Sequence, residues 1–416
     1  MSRPQEIQSY HVQWYIDIDG IREDVTVEVG QGRILGIHRG KTALAIELGQ
    51  VALIPGLVNA HTHLEFSSLN EPICTTQRFT DWIRSVVSHR RTQPEIIPAA
   101  IRAGVNESIR AGTTLIGDIA TTGWSANDYA AAGFRGVVFQ ELLGLTEERV
   151  AGQCEVARTI GSNTAPWPDE MQFGFSPHAP YSVHHDLLRA AVHTATQSSR
   201  PVAMHLAETQ AELELLSEGT GEFREMLSEF GIWREGLFGG RRPMHYLEAL
   251  AAAPRTLIVH GNYLDESELS FLANHPAMTL VYCPRTHADF GHPPHPWRRL
   301  LELGGSVAIG TDSRASNPDL SLFAELQFLA ASEPDISHLE LLKVGSHSGR
   351  VALTGGSATE TADFCVVGWN SQTAPDPARN LFARGNQVLA TMIAGQWCFR
   401  DPAFQLENDL DSSSNS

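Results

Sequence analysis

Residues 51–66, VALIPGLVNAHTHLEF, decide how the rest of the chain is read. An apolar run at 51–54 meets Pro55 and Gly56, and a second short run ends in His61-Thr62-His63. Residues two apart on a strand share a face, so His61 and His63 are expected to converge on one point. Two imidazoles converging where a strand runs out are the beginning of a metal site. With 18 histidines in the chain, roughly one His-x-His arises by chance. The pair therefore gains weight only from its setting and from donors elsewhere.

Toward the N-terminus, residues 10–18 and 25–29 alternate apolar with polar, and Gly30-Gln31-Gly32 supplies a turn before 33–37. The glycines at 30, 32 and 36 lack the spacing of a nucleotide-binding loop and precede no helix, so a β-hairpin is expected. Past Pro55 the pattern becomes strand, loop, helix, repeated. Amphipathic stretches at 78–91, 94–110, 184–196, 211–230, 264–274, 320–331 and 338–351 predict helices. Between them lie apolar runs at 113–119, 134–143, 171–175, 201–206, 256–260, 279–282 and 306–309. With the run before His61 these make eight strands, which predicts a (β/α)8 TIM-like barrel over residues 56–354. A doubly wound open sheet is the alternative. Strand signal returns at 362–368 and 387–393, and these runs are expected to join residues 1–55 in a small β-sandwich built from both ends, 1–55 with 355–405. Residues 406–416 are polar and acidic and are expected to be a disordered tail.

The ends of barrel strands are where such folds carry chemistry. Here those ends offer His61 and His63, then His178, His205 with Glu208, His260, Arg285 with His287, and Asp312. A neutral core histidine explains any one of them. It does not explain histidine or aspartate closing five of the eight predicted strands. Three imidazoles and a carboxylate leave a divalent cation an open position, and such a cation can bring the pKa of bound water to about 7. Glu208, three residues past His205, is suitably placed to carry a proton.

A chain of 416 residues with 42% hydrophobic and 19% charged side chains has a globular balance, large enough for one big domain and one small one. Its formal charge of −18 argues against nucleic acid or an anionic membrane as partner. An anionic substrate would need a local cation, and Arg285 is the candidate. Trp82 is expected to form an aromatic wall or, equally, a helix core position. The cysteines, Cys74, Cys154, Cys283, Cys365 and Cys398, are odd in number and none has C-x-x-C spacing, so neither a disulfide framework nor a cysteine-zinc site is expected. With no signal-peptide pattern at the start and no apolar run near the roughly 18 residues that span a bilayer, a cytoplasmic setting is expected. The H-x-E deaminase pattern fails because no P-C-x-x-C exists, and no G-x-S-x-G supports a serine hydrolase.

PGLVNAHTHLEF, SPHAPYSV at 176–183, MHLAET at 204–209, VHGNYL at 259–264, YCPRTHADFGH at 282–292 and GTDS at 310–313 together resemble the amidohydrolase superfamily, in its cytosine/guanine deaminase and triazine hydrolase branch. HTHLEFS, FQELLG at 139–144 and CPRTHADFGH are most similar to aminodeoxyfutalosine deaminases. The resemblance implies one zinc or iron ion held by His61, His63, His205 and Asp312. Asp312 would also take a proton from water, Glu208 would pass it to a ring nitrogen, and His260 would orient the attacking oxygen. It further implies His178 and Glu141 at the substrate, a homodimer, and deamination of an aminated purine nucleoside. Guanine deamination or triazine-type dechlorination is the alternative in the same fold. A scaffold without activity is disfavoured by the intact donor set.

Overall fold

The computed structural model describes residues 7–73, 78–92, 94–121, 123–162, 171–356, 361–369 and 376–406. Eight strands run parallel in the order of the chain: β1 (Leu57–Thr62), β2 (Thr113–Ala120), β3 (Gly136–Leu142), β4 (Met171–Pro177), β5 (Val202–Leu206), β6 (Thr256–His260), β7 (Met278–Tyr282) and β8 (Ser306–Ile309). Almost every residue in them is buried, as expected of parallel strands covered on both faces. One face fills the barrel, with Val58, Ala60, Val137, Ala203, Val259 and Ala308 among its residues. The other packs against the helices through Met204, Ile258, Leu280 and Val307.

The barrel closes where β8 returns to β1. The backbone N–H groups of Thr311 and Asp312 both donate to the His61 carbonyl at 3.1 Å. Asn59 and Thr311 exchange hydrogen bonds across the same seam, at 2.7 and 3.1 Å. A Cβ on Gly310 would stand 2.8 Å from the His61 carbonyl oxygen, so only glycine lets the strands approach this closely. Closure therefore sets Asp312 beside His61 and His63.

The remaining strands form a second sheet from both ends of the chain. Its order is Gln396–Arg400, Gln387–Ile393, Phe364–Gly368, Val51–Pro55, Gln8–Asp17, Gly20–Gly30 and Arg33–Arg39, with Ile46–Glu47 on Gln8–Asp17. The central strand, Val51–Pro55, leads directly into β1. The sandwich is one hydrogen-bonded sheet folded over its own core. Tyr10 and Trp397, on strands four places apart, meet edge to face at 5.4 Å, and Ala362 N–H bonds the Gly32 carbonyl at 2.9 Å. Leu406, expected at the start of a disordered tail, is buried against this core. The rest of that tail, 407–416, lies outside the described residues, as do the first six residues and Cys74.

The helix expected over 211–230 is two helices, Gln210–Glu218 and Gly221–Glu229. Gly219 takes the left-handed conformation at the first C-terminus (φ 70°), and Thr220 begins the second. The stretch 338–351 is likewise interrupted, by a π-helical turn at Lys343–His347. The four described cysteines are free. Among the described residues no helix is long and apolar enough to cross a membrane.

Candidate active site

The ends of β1, β5, β6 and β8 bring His61, His63, His205, His260 and Asp312 together, all buried. His61 and His63 stand with ring centroids 5.0 Å apart at 90°. His63 Nε2 faces His205 Nε2 at 3.4 Å, and Asp312 Oδ1 lies 3.4 Å from His61 Nε2 and 3.7 Å from His63 Nε2. Both ring nitrogens of His61 and Nδ1 of His63 are buried with no hydrogen-bond partner among the described residues. A buried polar nitrogen left bare is costly, on the order of 1–3 kcal/mol, and an ion where the Nε2 atoms of His61, His63 and His205 converge on Asp312 Oδ1 would remove that cost for His61 Nε2. Two triads, His61/His205/His260 and His61/His63/Asp312, have donor atoms within 4.8 Å of one another. Imidazole with one carboxylate suits a borderline divalent transition metal. The residues present fit such an ion.

The electrostatics favour that donor set. Burial, then repulsion from the neighbouring imidazoles, holds His63 well below the usual histidine range. The same two effects lower His205 and His260, so the rings are neutral and their lone pairs available. His205 Nδ1–H donates to the His178 carbonyl at 2.9 Å, which leaves Nε2 bare. For Asp312 burial pulls upward, but His61, His63 and His260 outweigh it and keep the carboxylate ionised. Ser316 Oγ–H donates to its Oδ2 at 2.6 Å. Glu208 is the opposite case: burial, then the charges of Asp312 and Glu212, push its carboxyl well above 4.5. Its Oε1 is 3.3 Å from His260 Nε2. One carboxyl pulled down beside one pushed up divides the roles of base and acid.

His63, His205, Glu208, His260 and Asp312 form the floor of a cavity of about 1400 Å³, counting the space open to solvent. The helix Phe79–Thr92 supplies one wall with Trp82, Ile83 and Val86. Trp82 stacks on Phe79 and donates Nε1–H to the Ala315 carbonyl at 3.2 Å. Met226, Leu227 and Phe230 make the facing wall. Phe230, a large apolar ring of the lining, remains 44% exposed. His178 reaches the same cavity. Ser182 donates to the Ala179 carbonyl, so its oxygen accepts Nδ1–H of His178 at 2.7 Å. Burial, then Arg90 and His61, lower the His178 pKa to about 3, so the ring stays neutral.

Two sequence expectations need correction. Arg285 does not line the cavity. Its strand ends at Tyr282, and Arg285 sits in the short helix Pro284–Asp289 with its guanidinium on Glu325 (2.6 Å) and Asp319 (2.6 and 3.0 Å). Glu325 is fully buried and needs that cation. Glu325 in turn accepts from Asn317, which also donates to the Thr311 carbonyl at 2.7 Å, so Arg285 braces the seam next to Asp312. Glu141 is buried beneath the cavity, 3.5 Å from Arg90 and 3.8 Å from His178 Nε2, and does not line it.

Other groups escaped the sequence reading. Arg90, Arg91 and Arg149 are the arginines of the cavity lining. Arg90 is tied to Glu65 at 2.7 Å, whereas Arg91 and Arg149 are exposed and have no ion pair among the described residues. Glu212 accepts the backbone N–H groups of Ala207 and Glu208, each at 2.9 Å, and Asn262 donates to the Glu208 carbonyl. The only sequence trace of Glu212 is Thr209 three residues earlier, a capping-box spacing.

Comparison with known proteins gives the chain a family and its fold close relatives. The chain is 28% identical over 420 residues to a 5-methylthioadenosine/S-adenosylhomocysteine deaminase of Pyrococcus furiosus, covering 94% of this chain and 93% of that one. Its fold matches the aminofutalosine deaminase of Helicobacter pylori solved with methylthio-coformycin (TM-score 0.80, 21% identity, 94% and 100% of the two chains). It also matches an adenosine deaminase of Xanthomonas campestris solved with bound zinc (TM-score 0.74, 21% identity, 99% and 97%). The model of the amidohydrolase family covers residues 52–398, more than four-fifths of the sequence, and the chain belongs to that family.

Proposed function

We propose that the protein deaminates 6-aminopurine nucleosides bearing a bulky or anionic 5′ group, using one divalent ion, zinc or iron, held by His61, His63, His205 and Asp312. The observation that carries this reading is the convergence of the Nε2 atoms of His61, His63 and His205 on Asp312 Oδ1, beside a Glu208 whose carboxyl burial pushes well above its usual range, at the floor of a roomy cavity. When bound, such an ion supplies Lewis acidity and lowers the pKa of water to about 7. Asp312, ionised, takes the proton of the attacking water through its carboxylate. Glu208, in its protonated form, gives its proton to the ring nitrogen beside the reacting carbon, which makes that carbon electrophilic. His260, neutral and 3.3 Å from Glu208, orients the attacking oxygen. His178 offers a bare Nε2 lone pair to a donor on the purine edge, and Trp82 gives the ring a flat apolar surface. The proton taken by Asp312 then passes to the amine, which leaves as ammonia, and the proton of the added hydroxyl returns to Glu208 as the carbonyl forms.

The 5′ group extends past Met226 and Phe230 toward Arg91 and Arg149. In a protein of net charge −18 these two cations, with no ion pair among the described residues, favour a carboxylate there. They take the part that the sequence alone assigned to Arg285. Support for a purine nucleoside comes from the relatives, whose names are those of adenosine-type deaminases. A small-molecule substrate, a cytoplasmic location and a homodimer complete the proposal. The test is ammonia release across adenosine, 5′-thioadenosines, a 5′-carboxylated aminopurine nucleoside and guanine, with metal content measured on the same preparation. Good turnover of guanine with none of any adenine nucleoside would overturn the substrate class.

A further inference from the structure

In β6, Leu257 and Val259 fill the barrel while Ile258 packs against the helices. Strict alternation would turn residue 260 outward. His260 nevertheless sits among the site histidines, 5.4 Å from the His205 ring and 5.9 Å from that of His61. Its backbone explains how: φ is +68°, in the left-handed region, followed by Gly261 at φ +65°. A residue other than glycine stays there only where its surroundings hold it. The ladder does not do so on the β7 side, because pairing of β6 with β7 ends at Val259 and Val281.

We infer that His295, on the loop between β7 and β8, is the positioning residue that holds His260 in this conformation. His295 Nε2–H donates to the His260 carbonyl at 2.7 Å. Its Nδ1 accepts the backbone N–H of Trp297 at 3.0 Å, which fixes the proton on Nε2. The imidazole lies on Tyr282 with centroids 3.8 Å apart at 20°, and Trp297, fully buried, anchors the loop behind it. The ring is thus oriented on three sides before it meets the carbonyl. It touches no reacting atom and changes no protonation state. What it supplies is the direction of the His260 side chain.

The kinetic arm of the test rests on the deaminase reading; the spectroscopic arm does not. His295→Phe keeps the stack on Tyr282 and removes the donor. His295→Gln keeps a donor near the Nε2 position. On the metal-loaded protein, with ammonia release from adenosine and the 5′-carboxylated nucleoside, the Phe variant should lose about 10–100-fold in kcat. Its KM should stay within about twofold. Metal content should be unchanged, and Gln should recover most of the rate. In ¹⁵N-histidine spectra, His295 should show the Nε2–H tautomer in the wild type. The His260 ring resonances should move in the Phe variant and return in the Gln variant. Wild-type kcat and unmoved His260 resonances in the Phe variant would overturn the inference, as would a Gln variant as impaired as Phe. If the wild type deaminates no nucleoside, the functional reading fails and the resonances alone decide. Should the Phe variant not fold, His295→Asn, whose amide is too short to reach, takes its place.

Discussion

Replacing Glu208 with Gln separates proton transfer from everything else the site does. The amide matches the carboxyl in shape and still donates toward His260 at the present 3.3 Å, but it cannot release a proton. Losing a general acid costs about 10²–10⁴ in turnover, which is about 2.7–5.4 kcal/mol of barrier. Stability should change in the other direction. Burial and two neighbouring carboxylates raise the Glu208 pKa well above 4.5. A carboxyl raised on folding contributes stability that is fully present below its unfolded pKa and is lost as pH rises through the folded value. The amide has no such loss. In EDTA-treated protein the melting temperature of Glu208→Gln should therefore overtake that of the wild type increasingly between about pH 5 and 8. The variant should still take up metal. The assays are stopped-time ammonia release, scanning calorimetry of the apo-proteins at several pH values, and metal analysis. An unchanged rate, or a melting temperature that falls behind the wild type as pH rises, would refute the reasoning.

His61→Ala and Asp312→Ala should each abolish both metal retention and turnover, and full metal retention in the two variants would dismiss this donor set. Arg149→Ala should raise KM for the carboxylated nucleoside several-fold while leaving adenosine little changed, and an equal effect on both would remove the anion from the cavity mouth. Arg285→Ala should act on stability, since removing one partner of a buried pair costs about 3–5 kcal/mol; urea melts check this, and a selective KM effect would restore Arg285 to the substrate. Glu212, pushed up to about 7 by burial, should make the apo-protein lose stability as pH rises from about 4.5 toward 7, and Glu212→Gln should flatten that slope.

All eight barrel strands were legible because parallel strands covered on both faces must be short apolar runs. The chain writes them that way between amphipathic stretches. Their polar terminators were legible for the same reason: His61, His205 and His260 stand out where apolar runs stop. Side-chain direction beyond a strand end was not. Arg285 lies three residues past β7, in a helical turn whose rotation no periodicity in so short a segment can fix, and it points to Glu325. Arg149 reaches the cavity from the first turn of the helix Glu147–Gly161, where the sequence shows only an exposed polar face. The left-handed backbone of His260 leaves no mark because histidine, unlike glycine, does not advertise it. The break at Gly219-Thr220 was written in plain signals, a C-terminal glycine and a capping threonine, yet the apolar spacing continues through it.

The seam between β8 and β1 sets a timetable for the chain. His61 and Asp312 are neighbours in space but about 250 residues apart in sequence, so the contact that completes the donor set has a very high sequence separation and is slow to form. During synthesis the His61-Thr62-His63 segment emerges early and waits through most of translation for its carboxylate partner. A chain stopped anywhere before β8 can show two or three imidazoles to a metal ion but cannot enclose it. On the proposed donor set, metal uptake would report that the last strand has docked, and an ion in the growth medium should rescue slow-closing variants of the seam, Gly310→Ala first among them, by trapping the closed state as it forms.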